Sequence, residues 1–141
     1  MSRITLDQAN QVIAAAFAKG QDLKLKPLSV VVVDAGGHVQ AFQRQDGASS
    51  MRLGIALGKA AGALALGVSS RKIGEMAAER PAFVTAIAGI PPHGLVPAAG
   101  GVIVKGADGF AIGAVGVTGD TSDNDEICTL AGIAAAGLTP A

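Results

Sequence analysis

An ammonium group half-way along an apolar helix has to reach water or meet an anion. Lys59, which interrupts the apolar stretch from Leu53 to Val68, is such a group. It is a candidate for holding an anionic ligand, or for a structural ion pair with a carboxylate such as Asp46 or Asp125. Arg44 offers a planar fork that suits a carboxylate or phosphate, and Asp46, two residues on, falls on the same strand face. Taken alone, charges at a strand end are solvated and their pairs contribute only ~0–1 kcal/mol. Asp120, Asp123, Asp125 and Glu126 gather where a glycine-rich segment meets a helix, a place where carboxylates cap helices or act as bases. Their spacing lacks the central glycine and distal glutamate of a calcium loop.

His38 and His93 are the only histidines, and either could ligate iron through a ring nitrogen or move protons near neutral pH. Neither sits in a ligand-spacing motif, and His38, next to a tight turn, reads first as an exposed hairpin residue, whereas His93 in the proline-rich loop reads equally well either way. No Cys-x-x-Cys-His is present, which excludes covalent haem of the c type. The single cysteine, Cys128, falls in the first turns of a helix, where the dipole could lower its thiol pKa; packing as a small hydrophobe is its ordinary role. Serine elbows, zinc spacings and phosphate-loop fingerprints are missing, and Gly113-x-x-Gly116-x-x-Gly119 has the wrong period for the last of these.

Helices and strands must position these groups. Thr5-Leu6-Asp7-Gln8 has the form of a capping box, and Ala9, Val12, Ile13, Ala16 and Phe17 then recur at helical spacing to near Leu23. The valines of Leu28 to Asp34 predict a strand. Gly36-Gly37 can turn it back into His38 to Arg44, with His38, Gln40, Phe42 and Arg44 on one face. Ser49 or Ser50 can cap a helix running to Gly67, apolar nearly all round and therefore buried on more than one side. Its Gly54, Gly58 and Gly62 would let another backbone approach closely.

Ser69-Ser70 can start a third helix, interrupted at Pro81 before Ala82 to Ala88 resume the pattern. Gly89 to Gly101, rich in proline and glycine, predicts a loop that edges a pocket. Val102 to Lys105 and Phe110 to Thr118 read as a hairpin around Asp108-Gly109. Asp123 or Asp125 can cap a last helix through Ala136.

A chain of 141 residues suits one domain over 1–141, able to bury roughly 68–70% of its unfolded surface. Half its residues are apolar but only 3% aromatic, so the core is built from Ala, Val, Leu and Ile. Eleven basic residues balance eleven acidic ones without a block of either sign, which argues against nucleic acid as a partner. No apolar run reaches the ~20 residues of a bilayer span, and Met1 to Thr5 lacks the features of a secretory signal. A cytoplasmic protein, with no membrane partner, is the expectation.

The order helix, hairpin, two helices, hairpin, helix, carrying Val33-Asp34-Ala35-Gly36-Gly37-His38, resembles the GlcG/HbpS family. Arg44-Gln45-Asp46-Gly47-Ala48, Gly58-Lys59-Ala60, and Gly113 to Gly119 followed by Asp125-Glu126 carry the resemblance across nearly the whole chain. The family is known for haem-binding members and for the carboxy-terminal domain of some cobalamin adenosyltransferases. The resemblance implies an α+β, profilin-like or PAS-like fold, an antiparallel sheet of about five strands with helices around it, and assembly into homo-oligomers. It also favours site roles for Arg44, Asp46, Lys59 and Thr118, with His93 as a further ligand contact from the proline-rich loop.

Three functions remain open. The first is small-molecule binding, with haem or another tetrapyrrole implied by the resemblance, countered by Lys59 or Arg44 and with His93 or His38 as candidate iron ligands. The second is a cofactor-independent isomerase, lyase or hydratase acting on an organic acid, held by Lys59 and Arg44 while Asp125 or Glu126 moves a proton. The third is a structural or accessory subunit. Beyond iron in haem, no metal site is expected.

Overall fold

Four consecutive valines form the centre of the protein, whose computed structural model describes residues 2–141, Met1 lying outside them. Val30 to Val33 are fully buried in β1 (Ser29–Asp34), where stiff β-branched side chains pack well on a pleated surface. β1 pairs antiparallel with β2 (Val39–Arg44) on one side and with β4 (Ala111–Thr118) on the other. β4 pairs with β3 (Gly101–Lys105), and a two-residue β5 (Thr139–Pro140) completes the order β2-β1-β4-β3-β5.

Successive strand side chains point to opposite faces, so the sheet has a core on each. Val30, Val32, Val102, Val104, Val115 and Val117 pack with Val12, Ile13 and Ala16 of α1 (Leu6–Asp22) and Cys128 and Ile133 of α5 (Ser122–Ala135). Val31, Val33 and Ala114 pack against Ala56, Leu57 and Ala60 of α2 (Arg52–Leu66). α3 (Ser70–Glu79) and α4 (Pro81–Ile87) follow, separated just before Pro81 as the sequence predicts. The result is one α+β domain with helices on both faces of an antiparallel sheet. Among the described residues no single helix is long and apolar enough to cross a membrane.

The capping box at Thr5 and Gln8 forms in both directions, at 3.1 and 3.0 Å. Other caps differ from expectation. Neither Ser49 nor Ser50 caps α2, whose N-cap is Met51 in helical geometry; the Ser49 carbonyl instead accepts from Arg52 N in a turn. α5 is capped by Thr121, which accepts from Asn124 N, because Asp125 is drawn into the interior.

The strand alternation through His38, Gln40, Phe42 and Arg44 is also broken. Val32 pairs with Ala41 but Val33 with Val39, so Gln40 is an extra, bulged residue. Its side chain donates to the Ile4 carbonyl at 2.7 Å, and His38 lies outside the strand in the turn.

The close approach expected of the α2 glycines is real at two of the three and is made to a loop of the same chain. A side chain at Gly58 would meet Val96, and one at Gly62 would meet Gly94 and Leu95, whereas Gly54 faces open space. On its other side α2 rests on the sheet at Gly101 and Gly116, which pair across β3 and β4. A Cβ on either would strike an α2 backbone carbonyl, that of Lys59 or Ala56 respectively.

Candidate functional site

The sequence-derived candidates fall into three places. The first is a buried polar seam. α2 carries Lys59 against the sheet, and its ammonium, 2% exposed as a residue, donates to Asp125 Oδ2 at 3.0 Å and to the Val117 carbonyl at 3.1 Å. Asp125 is buried too, and its other oxygen accepts from Asp120 N at 3.0 Å. Burial lowers the Lys59 pKa and raises that of Asp125, each shift opposed by the partner's charge. Thr118, beside this seam, accepts from Arg52 Nη1 at 3.0 Å. Arg52 was not among the sequence candidates; its place seven residues before Lys59, on the same helix face, was the available signal.

The neighbouring acids are committed to holding the fold. Glu126 accepts from Arg71 Nε through both oxygens at 3.1 Å, and Asp123 accepts from Arg71 Nη2 at 2.5 Å, clamping α3 to α5 and raising the arginine's pKa. Asp120 accepts from Asn124 Nδ2 and from the backbone amides of Lys26 and Thr121, which together hold its carboxyl at about 2.

A folded-state value below the unfolded one adds stability above the unfolded pKa and loses it as pH falls through the folded value. Wild type should therefore lose stability between about pH 4 and pH 2 in a step that Asp120→Asn lacks, read from thermal midpoints along an acid series. Cys128 departs from the dipole reading: it is fully buried, and burial pushes its thiol up to about 11.

The second place is an open groove of about 540 Å³ along β2, lined by Arg44 and Asp46 with Phe17, Gln21 and Gln43 among others. Both charged residues are exposed. Among the described residues neither makes an ion pair. Arg44 pairs with Ser29 and Ser29 with Thr118, so Arg44 stands two strand spacings, ~10 Å, from Thr118. Arg44 and Lys59 do not share a pocket, and an anion could reach Lys59 only by opening its pair with Asp125.

The third place brings His38 and His93 together. A hollow of about 210 Å³ is lined by the β1–β2 turn (Ala35, Gly36, Gly37, His38), by Ala61, Leu64 and Ala65 of α2, and by Pro91, Pro92 and His93 of the proline-rich loop. An adjoining apolar hollow of about 470 Å³ shares Ala65, Pro91 and Pro92 and adds Phe83, Ile87, Ile90 and Leu95. The turn is fastened by Asp34, whose Oδ1 accepts from Gly36 N at 2.9 Å and His38 N at 3.0 Å. The same oxygen lies 3.4 Å from His38 Nδ1. Asp34 was not among the sequence candidates for a site, although it belongs to the Val33 to His38 motif that carries the family resemblance. Among the described residues, no group of three or more His, Cys, Asp or Glu could hold a metal ion.

Fold and hollows define a small α+β domain whose helix-backed antiparallel sheet carries an open, largely apolar, histidine-lined depression at one turn. The chain belongs to the family described as haem degrading protein HbpS-like, whose model matches residues 4–134. Among solved structures it is similar to Klebsiella pneumoniae protein ORFY, with 26% identity over 97% of this chain and 93% of that one and a TM-score of 0.84. It is also similar to a double mutant of Streptomyces reticuli HbpS, with 27% identity over 95% and 87% and a TM-score of 0.81. PduOC, solved as a haem complex, shares the fold at 23% identity over 98% of both chains, with a TM-score of 0.85. No curated protein matches the chain.

Proposed function

We propose that this protein binds haem or a related tetrapyrrole in the hollow lined by both of its histidines. One observation carries the reading: the only two imidazoles in the chain, from a turn and a loop far apart in sequence, line a single apolar-walled depression. The residues suit the group. Imidazole nitrogens are ordinary haem-iron ligands, and Ala61, Leu64, Ala65, Pro91 and Pro92 give the apolar contact a porphyrin face requires. The adjoining hollow extends that surface. Neither Lys59 nor Arg44 is among the residues lining either hollow, so neither would be the partner of a propionate there. Bound iron would supply redox and ligand-exchange chemistry; the protein's part is to hold the ring and offer nitrogen donors. The family membership and the haem complex of PduOC support the same reading.

The organic-acid enzyme has less support, because Asp125 and Glu126 are each held by a cation and Arg44 stands apart from them. Parallel titrations with haem and with iron-free protoporphyrin test the proposal. Haem should bind more tightly than protoporphyrin in wild type, and His38→Ala or His93→Ala should remove that advantage while leaving porphyrin binding in place. Equal affinities for the two ligands in every variant would rule out iron ligation by these histidines.

A further inference from the structure

The turn that presents His38 is fastened by a carboxylate that lies beside the imidazole. Asp34 Oδ1 gathers two backbone amides, those of Gly36 and His38, and the same oxygen faces His38 Nδ1 at 3.4 Å. Gly36 supplies the room: a Cβ there would come within 2.9 Å of His38 Nδ1 and 3.0 Å of its Cε1. Gly36 does not have the positive φ of Gly37, so its bareness matters for the imidazole and not for the backbone. The carboxylate thus fixes the turn and faces one ring nitrogen, while the missing side chain at Gly36 leaves the ring free to lie against that carboxylate.

Which nitrogen of an imidazole carries the proton is set by the hydrogen bond the other atom or its proton makes. Carboxylates behind metal-ligating histidines fix the tautomer and strengthen the donor. We propose that Asp34 is a positioning residue for the haem-binding reading above, on which this inference rests: with Gly36 it holds His38 as the Nδ1–H tautomer and leaves Nε2 as the donor to iron. His38 is exposed, its side chain 80% accessible, as is Asp34 at 51%, so the ring is open to a ligand arriving from solvent.

Two substitutions separate aim from architecture. Asp34→Asn keeps an oxygen for the Gly36 and His38 amides but removes the charge; Gly36→Ala keeps the carboxylate and displaces the ring. Nitrogen-15 NMR of the haem-free protein, with the imidazole neutral, should show His38 mainly as the Nδ1–H tautomer in wild type and shifted toward Nε2–H in both variants, with circular dichroism and melting little changed. Haem affinity should fall about 10- to 100-fold in each, with an altered Soret spectrum. A wild-type His38 already in the Nε2–H form, or haem binding unaffected by both substitutions, would overturn the role of Asp34 while leaving the binding reading intact. If wild type takes up no haem, the binding reading fails and the ligand role fails with it; the tautomer spectra then still decide whether Asp34 orients His38.

Discussion

Lys59→Met should cost this protein about 3–5 kcal/mol, the range for removing one partner of a buried ion pair. Methionine fills similar volume, so the loss comes from charge: Asp125 would be left buried without its cation, and the Val117 carbonyl without a donor. Replacing both partners, as in Lys59→Met with Asp125→Leu, should recover most of the loss, because two desolvated charges attract each other only enough to offset what burying them costs.

The pKa directions agree. Asp125 is raised by burial, so its contribution favours the fold only at acid pH and is lost as pH rises through the folded value. Lys59 is lowered, so its contribution is present above the unfolded value and is lost as pH falls through the folded one. Near neutrality the pair stands between the two favourable windows. Urea midpoints for the two single variants and the double variant measure this. A double variant no better than the sum of the singles would mean that the pair is not coupled as described.

Gly116→Val is the second large effect expected. Valine is a good strand residue, and propensity alone would favour it. Yet its Cβ would strike the Ala56 carbonyl, a backbone atom of a packed helix, and α2 could yield only by lifting off β3 and β4. A loss of about 3 kcal/mol, at the upper end for overpacking, should appear as a lower denaturation midpoint. Gly54→Ala in the same helix, where nothing lies within 4 Å, should gain up to ~1 kcal/mol. A neutral Gly116→Val would show that the helix does not rest on the sheet there.

These cases mark what local sequence can carry. The capping box at Thr5 and the valine strand were legible because each depends on neighbours within one turn or one strand. Lys59 was legible as a cation needing a partner, but the choice between Asp46 and Asp125 was not, since the pair closes over 66 positions. Gly58 and Gly62 announced close packing without naming the 94–96 loop as the neighbour. The bulge at Gln40 leaves no local mark, and it re-aims the residues before Ala41 that simple alternation had placed on one face. His38 and His93 carried no spacing signal at all. Their meeting depends on the proline-rich loop folding back against α2, with the Val96 amide bonded to the Gly58 carbonyl at 3.1 Å. They stood out only as the chain's two histidines, and the resemblance to a family with haem-binding members is what suggested haem as their ligand.

The most direct test of the central claim is a haem titration of wild type beside the His38→Ala/His93→Ala double variant, followed at the Soret band. Saturation near one haem per chain in wild type, with no saturable Soret shift in the double variant, is the predicted result. Equal saturation in both proteins, or none in either, would contradict the assignment of the histidine-lined hollow as a tetrapyrrole site.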